Sequence, residues 1–122
     1  MNLAERIAAA RGAVPADRLL TNLQLVNVLT GEVYPSEIAI KGGVIVGVGH
    51  GYHAAETVDL GGWFVAPGLI DAHMHIESSL CVPPEFSRVA LLHGVTTAIT
   101  DPHEIANVVG LDGIRFMLDA AA

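Results

Sequence analysis

The 122-residue chain has one cysteine, few aromatics and little charge. Its single cysteine, Cys81, excludes an internal disulfide and fits a reducing, cytoplasmic setting. Aromatics make up 5% of the chain, too few for a base-stacking platform. Bases number 6 against 13 acids, for a net charge of −7, so a basic surface for a phosphate backbone is missing. Nucleic acid is therefore excluded as a partner. Long apolar runs are missing too. The uncharged stretch Val44 to Ala55 is broken by Gly47, Gly49, His50, Gly51 and His53. No segment offers the roughly 20 apolar residues that a membrane helix needs. The N-terminus has an acid at Glu5 and breaks at Gly12 and Pro15, unlike a signal peptide. No membrane partner is expected.

What is present is apolar. The chain is 52% hydrophobic with a mean hydropathy of +0.50, which excludes a disordered tail. Its length suits one small domain or part of a larger one. A complete (β/α)8 barrel needs roughly 250 residues and does not fit.

Hydrophobic spacing divides the chain in two. Residues 3–11 read as a short helix with Leu3, Ile7 and Ala10 on one face, within a leader of residues 1–16. Asp17 to Leu29 reads as a strand, with Leu19, Leu23, Leu25 and Leu29 on one parity. Ser36 to Lys41 is a second strand. Gly42-Gly43 signals a tight hairpin into a third, Val44 to Val48, because both glycines tolerate positive φ. A weaker strand lies near Thr57 to Leu60. The expectation over residues 17–62 is a small antiparallel β unit, with Trp63 packed. Beyond Gly61-Gly62 the order becomes β-α-β-α. Leu69 to His75 is a strand, Pro83 opens a helix closed by Gly94, and Val95 to Thr100 is a second strand. Ile105 to Val109 is a short helix. Asp112 to Ala122 is another, with Ile114, Leu118 and Ala121 as its stripe. The crossovers are long enough for parallel pairing.

The informative stretch is Leu69 to Glu77. Its even positions, Ile70, Ala72, Met74 and Ile76, are apolar. Its odd positions, Asp71, His73, His75 and Glu77, are ionisable. Strand geometry sends these sets to opposite faces. Burying four ionisable groups on one face costs several kcal/mol unless something compensates, and a divalent metal compensates well. His73 and His75 at i and i+2 can converge on one ion. The blander alternative is a pair of half-exposed histidines at a strand end. His75-x-Glu77 also opens the zinc signature of cytidine-type deaminases, but the Pro-Cys-x-x-Cys half is missing, which rejects that fold. A second cluster, Asp101, His103 and Glu104, follows the strand Val95 to Thr100. In parallel α/β folds chemistry sits at the C-terminal strand ends, so both clusters would share one rim. Alternatively, Asp101 caps the next helix and Glu104 sits on its first turn.

Pro67-Gly68-Leu69-Ile70-Asp71-Ala72-His73-Met74-His75 resembles the first barrel strand of the amidohydrolase superfamily. His75-Ile76-Glu77-Ser78-Ser79 and Asp101-Pro102-His103-Glu104-Ile105-Ala106-Asn107-Val108, with the leader Glu5-Arg6-Ile7-Ala8-Ala9-Ala10-Arg11-Gly12, resemble the bacterial and archaeal adenine deaminases within it. The resemblance implies an α/β fold: part of a small β-sandwich at residues 17–63, then the first βα units of a TIM-type barrel at 64–122, incomplete in this chain. It implies hydrolysis of adenine to hypoxanthine and ammonia at a binuclear divalent metal site, manganese or iron, with zinc as a third option. A metal lowers the pKa of water to roughly 7, so that hydroxide is available at neutral pH. By the resemblance His73 and His75 bind metal, and Glu104, Asp101 and Glu77 are the catalytic carboxylates. His103, Ser78 and Asp71 contact substrate or support the site. A cytoplasmic homo-oligomer acting on a small molecule is implied as well. The remaining ligands of such a site come from later strands, so these 122 residues alone are expected to be inactive. The alternatives are another amidohydrolase acting on cyclic amides or amidines, dihydroorotase-like or imidazolonepropionase-like, and a non-catalytic binding or assembly module.

Overall fold

The structure, a computed structural model describing residues 2–122, folds as two units, Met1–Pro67 and Gly68–Ala122. The first begins with helix α1 (Leu3–Ala10). Asn2 caps it: the Asn2 side chain accepts from the Glu5 N–H at 2.9 Å, and the Glu5 carboxylate accepts from the Asn2 N–H at 3.2 Å. This reciprocal box satisfies two otherwise orphaned donors. Five strands follow: β1 (Ala16–Asn27), β2 (Glu32–Lys41), β3 (Val44–Val48), β4 (Ala54–Asp59) and β5 (Phe64–Val65). The sheet order is β3-β2-β1-β4, with β5 also on β1. Gly42 and Gly43 take φ of 56° and 74°, and Lys41 pairs with Val44 across them. This is the tight hairpin that the sequence announces.

Several details depart from the sequence expectation. The unit is not purely antiparallel, because β4 and β5 both run parallel to β1. Hairpin signals reveal antiparallel neighbours only, whereas these strands return to β1 through longer connections. The parity of β1 also breaks. Leu20 pairs with Ile38 and Leu23 with Ser36, so Thr21 and Asn22 together oppose Glu37. Asn22 takes φ of 52° in this bulge. Leu19, which pairs with Ala39, and Leu23 therefore fall on opposite faces of the sheet. Leu29 lies beyond the strand and is 94% exposed. Leu19, Ala16 and Ala39 form a buried cluster, extended by Val46, Tyr52 and Ala54. Helix α1 lies against β2 and β3 and buries Ala9, while Leu3 and Ile7 stay exposed.

The second unit contains strand β6 (Leu69–Met74), a 3-10 turn at Glu77–Ser79, helix α2 (Pro83–Leu92), strand β7 (Val95–Thr100), and helices α3 (His103–Val109) and α4 (Leu111–Ala121). Pro83 starts α2, where a missing N–H costs nothing. Gly94, at φ of 81°, follows the cap at His93 and ends it. β6 and β7 pair in parallel, Ile70 opposite Thr97 and Asp71 opposite Ala98. The buried face of α4 is rotated from the expected stripe: Gly113 and Met117 are buried, whereas Leu118 is exposed. A Cβ on Gly113 would stand 3.0 Å from the side chains of Ile105 and Val109, so this glycine lets α3 and α4 approach closely. With two strands in this sheet, Leu69, Ile70 and Ile99 keep more than half their surface exposed. The apolar face that a parallel sheet ordinarily buries is uncovered among the described residues.

The architecture is mixed α/β, as expected.

Candidate metal and catalytic centre

β6 and β7 end side by side. The Asp101 N–H donates to the Met74 carbonyl at 3.1 Å, so both strands reach the rim together. Beyond Met74 the chain leaves strand geometry one residue earlier than expected, and His75 follows it as the first rim residue.

Two imidazoles are oriented there by one residue. Nδ1 of His75 lies 2.6 Å from the main-chain carbonyl of Asp101. A carbonyl only accepts, so this nitrogen carries a proton, and in the neutral ring it is Nε2 that offers the lone pair. Nδ1 of His103 lies 3.1 Å from the Asp101 carboxylate, which leaves its Nε2 free in the same way. The rings of His75 and His103 meet edge to face with centroids 4.5 Å apart. One ligand atom each from His75, Asp101 and His103 fall within 4.8 Å of one another. Two neutral imidazoles and a carboxylate suit a divalent ion of the zinc, manganese or iron type. Imidazoles fixed through their second nitrogen are the usual supporting arrangement at such ions.

His73 stands beside this trio rather than in it. Its ring lies edge to face against His75 at 4.8 Å between centroids. Its N–H donates to the Asp71 carboxylate at 3.2 Å, so Asp71 shapes the strand end from within. The sequence pairs His73 with His75, whereas the geometry groups His75 with Asp101 and His103 across the two strands.

The carboxylates form a second layer. Oε1 of Glu77 accepts from the N–H groups of Glu104 at 3.2 Å and Ile105 at 3.5 Å. Its other oxygen, Oε2, is buried without a hydrogen-bond partner. A buried, unpaired carboxylate oxygen is a position where a cation or a donor belongs. The Ser78 hydroxyl donates to Oε1 of Glu104 at 2.7 Å. Contacts thus join Asp71, His73, His75, Asp101 and His103 in one group and Glu77, Ser78 and Glu104 in another. What sequence reasoning missed is the double use of Asp101. A main-chain acceptor leaves no trace in residue type, although the Asp-x-His spacing was a signal for the side-chain contact.

Residues 64–122 match the Amidohydrolase family. The chain is 52% identical over 119 residues to an adenine deaminase of Listeria innocua, covering 98% of this chain and 21% of that protein. It is 53% identical over 119 residues to an adenine deaminase of Geobacillus kaustophilus, covering 98% of the chain and 20% of the relative. The chain therefore spans about a fifth of the length of these curated relatives. Among solved structures it is similar to an L-hydantoinase (dihydropyrimidinase) of Arthrobacter aurescens. That match has 28% identity and a TM-score of 0.57, over 71% of this chain and 21% of that one. The fold is also that of an N-acyl-D-glutamate deacylase from Bordetella bronchiseptica, at a TM-score of 0.59 and 24% identity, over 71% of this chain and 19% of that one. The matched residues include His75, Asp101 and His103, whose donor atoms could hold a divalent ion.

Proposed function

We propose that this chain forms the metal-binding start of an adenine deaminase, in which adenine and water give hypoxanthine and ammonia. The supporting observation is identity of about half to adenine deaminases over 98% of the chain. His73 at the end of β6 and His75 just beyond it are the proposed metal ligands, joined by His103 at the start of α3. Manganese or iron in a binuclear site is proposed, with zinc as the alternative. Such an ion supplies hydroxide at neutral pH. This chain's carboxylates then handle protons at the C6 carbon. Glu104 reaches the rim on the first turn of α3 and is the proposed proton carrier, taking a proton from the nucleophile and helping ammonia leave. Asp101 orients the two imidazoles, and Glu77, Ser78 and Asp71 complete the surround. A cytoplasmic homo-oligomer in purine metabolism, without nucleic-acid or membrane partners, is the proposed setting. The −7 charge and the single cysteine support it.

The test is a substrate panel of adenine, dihydroorotate and imidazolonepropionate on a full-length protein carrying this sequence, beside the 122-residue chain alone. The full-length protein should consume adenine alone, releasing ammonia, and leave the rings of the other two closed, and the short chain should act on none of the three. Turnover of dihydroorotate or imidazolonepropionate in place of adenine would move the assignment to another amidohydrolase. Hypoxanthine formed by the short chain would refute the half-site reasoning.

A further inference from the structure

Helix α3 begins without a cap of its own. Its N-cap residue is Pro102, whose side chain has no acceptor, and no side-chain cap is made there. The first N–H groups of a helix need partners from elsewhere. The Glu77 carboxylate is that partner, taking the Glu104 and Ile105 N–H groups on one oxygen. The next residue, Ser78, then donates to the Glu104 side chain at 2.7 Å. One 3-10 turn therefore grips Glu104 twice, by its backbone and by its carboxylate. The turn itself is held locally: the Ser79 hydroxyl donates to the Ile76 carbonyl at 2.6 Å, and Ile76 is buried.

We infer that Glu77 and Ser78 are positioning residues for Glu104, with Glu77 acting as the remote N-terminal cap of α3 and not as a proton carrier. The Glu77 oxygen that is engaged faces backbone donors, whose protons do not transfer. Ser78 fixes the rotamer of Glu104 by a hydrogen bond to an ionised group, the stronger class of such bonds. It leaves the second oxygen of Glu104 free for chemistry. This assignment rests on the reading of Glu104 as the proton-handling group.

The test uses a full-length protein carrying this sequence and four variants, Glu77→Gln, Glu77→Ala, Ser78→Ala and Ser78→Thr. Glutamine keeps an acceptor for the α3 amides, so Glu77→Gln should lose clearly less kcat than Glu77→Ala, which should fall roughly 10-fold or more. Ser78→Ala should lower kcat roughly 10-fold with KM little changed, and Ser78→Thr should restore it. Hydrogen exchange of the peptide over residues 103–109 should quicken in Glu77→Ala and stay at the parent rate in Glu77→Gln. The inference is overturned if Glu77→Gln is as inactive as Glu77→Ala or loses bound metal. It is also overturned if Ser78→Ala raises KM at constant kcat, or if exchange is unchanged in Glu77→Ala. A parent protein that leaves adenine untouched would sink the functional reading alone, because the exchange measurement still decides the cap.

Discussion

Asp101 holds His75 through its backbone and His103 through its side chain, and only the second contact can be removed by substitution. Asp101→Ala should therefore release the His103 ring and leave the His75 ring where it is. Loss of a partner that orients a metal-binding imidazole weakens metal affinity about 10- to 100-fold. Each tenfold step is 1.4 kcal/mol, so the expected loss is roughly 1.4–2.8 kcal/mol. Asp101→Asn keeps an oxygen acceptor for the His103 N–H and should fall between Asp101→Ala and the parent. The assay is chelator competition with metal content read by mass spectrometry, on a full-length protein carrying this sequence. Coupling makes the test sharper. If Asp101 acts through His103, then Asp101→Ala added to His103→Ala should cost little further affinity, since residues in one network are not additive. Unchanged metal affinity in Asp101→Ala would refute the orienting role. Full additivity with His103→Ala would refute it as well, and would make Asp101 an independent ligand.

Two further predictions concern the first unit. The Gly42 N–H and then the Lys41 ammonium hold the Asp17 carboxyl below its ordinary pKa. A depressed carboxylate contributes stability above its unfolded pKa and loses it as pH falls through the folded one. The destabilisation of Asp17→Asn against the parent should thus be full at pH 7 and vanish in strong acid, as read by melting at several pH values. A pH-independent difference would contradict this. Separately, a Cβ on Gly47 would overlap the ring of Tyr52, which sits on the core and donates to the Ala10 carbonyl at 3.3 Å. Gly47→Ala should cost about 1–3 kcal/mol by overpacking, and much less in a Tyr52→Ala background. Equal costs in both backgrounds, measured by denaturant titration, would refute that contact.

Periodicity and residue type carried the local structure a long way. Gly42-Gly43 specified its hairpin because two adjacent residues at positive φ exclude other turns. Val95–Thr100 emerged as a strand with its predicted bounds, since all of its residues but Ala98 are β-branched. The ionisable positions after Leu69 and the Asp-Pro-His-Glu run were legible as two clusters, and His75 and Asp101 follow directly on the ends of β6 and β7. The bulge in β1 was not legible, because an extra residue in one strand is defined only against its partner's register. The parallel return of β4 and β5 was hidden for the same reason. The rotated face of α4 depended on Gly113 meeting Ile105 and Val109, a contact between two helices that neither helix's spacing encodes.

At the site the division is similar. The sequence by itself determined which side chains could bind an ion or move a proton, because imidazole and carboxylate chemistry belongs to residue type. It also supplied His73 and His75 as a pair, since neighbours on one strand share a face. Only the tertiary structure decided the grouping across strands. The Asp101 backbone reaches His75 because β6 and β7 pair in parallel and end together. Glu77 finds the amides of α3 because the turn after β6 lies under the start of that helix. Such contacts join residues 26 and 27 positions apart, and their partners include main-chain atoms that every residue possesses. A sequence names donors and acceptors only through side chains, so the fold alone determines which backbone groups they meet.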